Sequence, residues 1–420
     1  MAVPAYRIID RRSSQGYSNN QLFQAALQTS DRARVSLADF DTHRNISNSG
    51  RRLLMTLGRY LFSNCSPVRG AILEMANYAA GQFIPQYVGR NSAWGRLAEQ
   101  WLMEHDKICD VRGPPFTMDV WKRSLVISAL RDGDKGTLLT ENAEGYPMIQ
   151  SIPGHRIGWR LNETQTEGGP YDGSRMIDGV IMDDYGRPLA YRIYGDNNFA
   201  LENVRDISAN DMLLTYLPDW DDQARGISIL AASVFDWQDV NESRRFELLA
   251  QKLGSMIGLI EENETGEADD NGGLIPPRLP EELPAIREEK ISGGLEVRYF
   301  KANSGQGLKP LQNDRPTSNQ KSFKDDVIRE ALNGMGWSPD FSLDPTKIGG
   351  APMRVVVSKI NSTISILQRF LMLPACRRVD GWRISKAIKL GLLPDDPDWF
   401  KWKYQGPAKI TADEKYQSSV

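Results

Sequence analysis

The chain has 420 residues, of which 40% are hydrophobic, 9% aromatic and 25% charged, an ordinary globular composition and enough length for two or three domains. A formal net charge of −3 excludes the basic excess with which proteins that grip nucleic acid neutralise phosphates. No run of about 18 apolar residues is present, the N-terminus lacks the apolar stretch of a secretory signal, and Cys65, Cys109 and Cys376 are too few and too scattered for a disulfide framework. The expectation is a soluble protein with reduced thiols, made inside a cell.

In chain order, residues 51–81 carry apolar positions at helical spacing, broken by Asn64-Cys65-Ser66-Pro67, and predict two helices. Residues 92–104 and 118–130 continue the helical pattern. From about 136 to 218 the period shortens: 138–140, 148–152, 179–182, 189–194 and 212–217 are short, partly alternating runs bounded by EGYP, DDYGRP and GDNN, which predict a sheet region. Residues 228–253 open on Ser228 as a cap and run without Gly or Pro. That predicts a helix of about 26 residues and roughly 39 Å, with Leu230, Val234, Trp237, Phe246, Leu249 and Leu253 as its apolar stripe. Residues 258–319, with EENETGEADDNGG and IPPRLPEELP, read as a small loop-rich β insert whose one convincing strand is LEVRYF. Ser322 with Asp325 resembles a capping box, and the helix it starts ends at Gly334 and Gly336. A connection of about 16 residues, 337–352, leads to a long helix, 353–373, that Pro374 is expected to stop. The fold class is α+β.

Catalytic patterns are weak. His43, His105 and His155 have no metal-ligand spacing, so no metal and no cofactor is expected. His105 and Cys109 are an imaginable imidazole–thiol pair with no third orienting group. Asp132-Gly133-Asp134-Lys135-Gly136-Thr137 has phosphate-loop residue types, but its lysine precedes glycine and a strand follows, so a turn entering the sheet is expected. Asp183-Asp184 and Asp395-Asp396 read as solvated loop acids. The segment LNGMGWSPDFSLDPTKIGGAPMR, 332–354, fails the phosphate-loop order too, and Trp337, Phe341, Leu343, Ile348 and Met353 make it too apolar for a linker, which leaves a functional loop. One alternative is a nucleic-acid-processing enzyme, suggested by Arg377, Arg378, Arg383, Lys386, Lys389, Lys401 and Lys403 interleaved with Trp382, Trp399 and Trp402. Another is a different ring or adaptor protein of a virion.

Several stretches resemble, in order, those of the lambda-type portal family of tailed double-stranded DNA bacteriophages: NCSPVRGAILEMANYAAG, ICDVRG, IPGHRI followed by DGVIMDDYGRPLAYRIY, ARGISILAASVFDWQDVNE and WKYQGPAKITADE. The resemblance extends over residues 51–413. It implies a non-enzymatic portal: a ring of twelve subunits at one capsid vertex through which DNA is packaged and ejected. It implies a wing (1–227), a stem helix (228–257), a clip (258–320), a second stem helix (321–336), a tunnel loop (337–352), a long helix (353–374) and a C-terminal segment (375–420), with a crown reduced or absent. Tunnel-loop residues expected to face DNA are Asp344, Lys347, Gly349, Gly350 and Arg354. The expected clip docking surface is Glu261, Glu262, Glu264, Glu267, Asp269 and Asp270. Implied partners are further copies of the chain, double-stranded DNA, the large terminase, a head–tail adaptor, the major capsid protein and scaffold, in the virion and, during assembly, the host cytoplasm, with no membrane.

Overall fold

The computed structural model describes residues 47–158, 165–166, 169–195, 204–255, 259–262, 287–291, 295–299, 307–310, 318–343, 351–407 and 409–410. Two helices open it, α1 (Asn48–Asn64) and α2 (Ser66–Ala80). Ser47 caps α1 by accepting the amide of Gly50, and Pro67 starts α2 where its missing N–H costs nothing. After strand β1 (Ile84–Tyr87) come α3 (Ser92–His105), capped by Asn91, and α4 (Met118–Asp132), capped by Thr117. These four helices follow the apolar spacing of the sequence within three residues at their ends.

The sheet region resolves into two antiparallel sheets. In the first, β2 (Asp134–Glu141) is central between β3 (Pro147–Pro153) and β8 (Met212–Tyr216). The second is a meander of β4 (Arg175–Ile177), β5 (Val180–Met182), β6 (Pro188–Ile193) and β7 (Arg205–Ser208). β4 and β7 are not foreseen from sequence, because β4 has only three residues, β7 is largely polar, and a short edge strand is defined by its partner's hydrogen bonds more than by its own pattern. Ile152, Ile157, Val180, Met182, Tyr191, Ile193 and Met212 fill the space between the sheets. α4 packs on β2, and together with α1 and α2 encloses the main core around Trp121, Leu125 and Leu130.

Helix α5 (Val234–Ser255) begins six residues later than Ser228, after a 3-10 turn at Ala231–Ser233. Ser228 is not a cap: its Oγ donates to the carbonyl of Leu130 and accepts the amide of Leu230, while the amide of Ile229 also donates to Leu130, so 228–230 finish the open end of α4. The expected stripe is correct in its first half, where Leu230, Val234 and Trp237 are buried; Phe246 and Leu249 are 68% and 53% exposed. Beyond α5 the backbone forms β9 (Leu259–Glu262) paired with β12 (Gly307–Pro310), and a hairpin of β10 (Arg287–Ile291) with β11 (Leu295–Tyr299), four strands where LEVRYF alone was expected.

Helix α6 (Ser318–Gly334) starts four residues before Ser322, so Ser322 and Asp325 lie inside it and form no capping box; after Pro316 nothing in the sequence prevents the helix from reaching back to Ser318. A five-residue helix, α7 (Pro339–Leu343), occupies the front of the predicted loop. The final helical path is α8 (Ala351–Ile366), a π turn (Leu367–Met372) and α9 (Leu373–Lys389), so Pro374 does not stop it. The π turn is the reason: the amide of Leu373 reaches back five residues to Gln368, and this wider winding seats the proline ring at the first turn of α9. β13 (Trp402–Gln405) closes on β1, with Trp94, Leu102, Ile384 and Trp402 in a small core of their own.

Candidate functional site

The residues that could have made an enzyme are locked in structural roles. Cys109 is buried, its Sγ donates to the carbonyl of Asp106, and burial pushes its thiol up to about 12. His105 is pushed down to about 3 by burial and then by the Arg383 guanidinium, which approaches its Nδ1 at 2.8 Å. A thiol whose pKa burial raises and an imidazole whose Nδ1 is taken up by Arg383 do not make an activated pair. The His155 pKa is likewise lowered, by burial and by Arg59, and His43 lies outside the described residues. Asp183 orders a hairpin turn by accepting the amides of Tyr185 and Arg187. Asp396 is not a solvated loop acid but a buried one, accepting from Tyr87 Oη and the amide of Asp398. Among the described residues no three His, Cys, Asp or Glu side chains gather as a metal site.

The basic cluster is also dispersed. Arg383 is buried between Asp380 and Asp106, Lys386 pairs with Glu141, and Lys401 pairs with Asp398. Trp402 is buried, and its indole donates to the carbonyl of Trp399. What was a run of cations and tryptophans in sequence is therefore split between the buried Arg383 and Trp402, half-buried Trp382 and Trp399, the surface ion pairs of Lys386 and Lys401, and Arg377, Arg378, Lys389 and Lys403 exposed at separate places.

The best-built polar constellation joins four separated stretches. Arg225 is wholly buried and uses all five of its N–H donors: Nε and one Nη make a bidentate pair with Asp134 at 2.6 and 3.0 Å, and the others reach the carbonyls of Gly154, Ile157 and Asp178 at 2.6 to 3.0 Å. Arg51 completes the group through the Asp178 carboxylate and, at 3.9 Å, Asp134. Burial pulls Asp134 toward neutrality, but the two guanidiniums hold its carboxyl below the usual range. Gly133 and Gly226 make the approach possible. Gly133 sits at φ +98°, and a Cβ on Gly226 would lie 1.9 Å from its carbonyl oxygen. Asp134, the phosphate-loop candidate's acid, is thus a structural anchor, and the expected turn into the sheet narrows to Gly133, since Asp132 ends α4 and 134–137 already belong to β2.

The long loop is held firmly at its start. Trp337 is buried and its indole N–H is shared between Glu74 of α2, at 3.0 Å, and Ser342 of α7, at 2.8 Å; the Ser342 hydroxyl donates to the same carboxylate oxygen at 2.6 Å. Phe341 meets Tyr78 edge-on, one helical turn beyond Glu74, and Arg329 of α6 pairs with Asp340. Thr363 of α8 donates to the carbonyl of Gly336. Of the loop expected over 337–352, residues 339–343 are helix and 344–350 lie outside the described residues; Glu74 and Ser342 were not foreseen, their only signal being a helical glutamate among apolar neighbours. Arg354 is exposed on the first turn of α8. Asp344, Lys347, Gly349 and Gly350 lie outside the described residues, as do Glu264, Glu267, Asp269 and Asp270; Glu261 and Glu262 are placed as backbone only, in β9. The long helices carry exposed apolar side chains: Phe235, Phe246, Leu248 and Leu249 on α5 and Phe323 on α6.

A probable portal protein of Halomonas phage phiHAP-1 is 26% identical over 256 residues, covering 57% of this chain and 46% of that relative, less than half its length. A chain in the virion of a native gene transfer agent particle aligns over 86% of this chain and 89% of its own at 12% identity and a TM-score of 0.48. An HK97 family phage portal protein from Corynebacterium diphtheriae aligns over 83% and 94% at 10% identity and a TM-score of 0.37. The profile described as phage portal protein, lambda family, matches residues 4–341, and the chain belongs to that family.

Proposed function

We propose that the protein is the portal of a tailed phage or related particle, assembling into a closed ring, twelve subunits in the implied form, around a channel through which double-stranded DNA enters and leaves the capsid. Family membership over residues 4–341 carries this reading. The structural support is the apolar surface left open on the long helices, with Phe235 78% and Phe246 68% exposed, a surface that a monomer would not keep in water and that a head-to-tail ring would cover. In this reading residues 1–227 form the wing, α5 and α6 the stem, 258–320 the clip and 337–352 the tunnel loop. The following helical path is the channel-side long helix and 375–420 return to the wing.

Within that frame Asp344, Lys347, Gly349, Gly350 and Arg354 line the channel, and Glu261, Glu262, Glu264, Glu267, Asp269 and Asp270 offer an acidic docking face to the terminase and later to a head–tail adaptor. The wing meets the major capsid protein and scaffold. The net charge of −3 supports a channel that lets DNA slide, since each phosphate neutralised adds salt-dependent grip. The role is mechanical rather than catalytic. Electron microscopy of the purified protein is the test: ring particles with a central opening are expected, and monomers at every salt and protein concentration would overturn the reading.

A further inference from the structure

We infer that Glu74 is the positioning residue of the loop-bearing segment: through one carboxylate oxygen it clamps Trp337 and Ser342, and so fixes α7 on α2 and sets the point from which the chain departs toward the channel. The inference rests on the portal reading for what the segment does, but not for the clamp itself. Three observations converge on it. The indole N–H and the Ser342 hydroxyl both end on Glu74 Oε2, at 3.0 and 2.6 Å, so removal of one side chain leaves the Ser342 hydroxyl without this acceptor and the fully buried indole with Ser342 Oγ alone. Tyr78, four residues on and therefore on the same face of α2, meets Phe341, so α7 docks along a helical stripe rather than at one point. A five-residue helix cannot hold itself in water, because nucleation costs more than so few hydrogen bonds return; its order must come from these contacts and from the Arg329–Asp340 pair.

Hydrogen exchange of the purified full-length chain tests this. In Glu74→Ala the amides of 337–343 should exchange about 10- to 100-fold faster, the range expected for losing hydrogen bonds to a charged group, while those of α2 and α6 keep their wild-type protection. Glu74→Gln retains an acceptor oxygen and should restore most of the protection. Ser342→Ala, a milder change should Glu74→Ala fold poorly, should give a smaller local increase, and combining it with Glu74→Ala should add less than the sum. Unchanged exchange at 337–343, an equal rise throughout α2 and α6, or strictly additive effects would each overturn the assignment. Ring formation by electron microscopy reports on the portal reading separately, since exchange within one chain requires neither ring nor DNA.

Discussion

Arg225 shows how a residue that looks like a motif marker is a structural keystone. The family-like stretches ARGISILAAS, IPGHRI and DGVIMDDYGRPLAYRIY meet at its guanidinium, because each contributes either the arginine or a carbonyl it holds. Arg225→Ala would leave Asp134 buried beside only the more distant Arg51, and stability measured by denaturant unfolding should fall by about 3–5 kcal/mol. Lys135 makes the opposite kind of demand. It is buried against Trp121 and Ser124, and burial, then Arg112, pushes its pKa down from 10.5 to about 7. Between pH 7 and 10.5 the unfolded chain holds a proton that the folded chain has released, so this residue makes stability rise with pH across that window. Lys135→Met should flatten that rise, read as unfolding midpoints from pH 7 to 10.

At the scale of elements, the helices of residues 48–132 were legible because their apolar spacing and caps agree with their surroundings, whereas the boundaries that failed were set by a distant partner or by a local change of helix winding. The start of α5 moved because Ser228 is claimed by α4, and α9 ran through Pro374 because a π turn re-pairs the backbone before it. α7 and its clamp were not legible, since Glu74 and Trp337 are 263 residues apart. Removing residues 344–350 should therefore leave α7 in place and spare ring assembly, while particles built on the variant package or retain less DNA. A loss of rings by microscopy would instead make those residues an interface.

For the whole molecule, the exposed apolar face of α5 is the feature that a single chain leaves unexplained. Phe246→Ser with Leu249→Ser changes side chains that carry little of the monomer's core, so helix content by circular dichroism should persist while ring particles disappear. Persistent rings in that double variant would place the subunit contact elsewhere on the chain.

The sequence by itself determined the helices with self-consistent periodicity, the sheet region and, through ordered short stretches, the family. Those are local patterns, and local patterns need no partner to be read. Only the tertiary structure decided what the charged residues do: that Asp134 and Arg225 bury each other, that Arg383 belongs to Asp106 and Asp380 rather than to a nucleic-acid surface, and that Glu74 holds α7. The charge of a side chain is written in the sequence, but its energy depends on burial and on partners tens to hundreds of residues away, which only folding brings within reach.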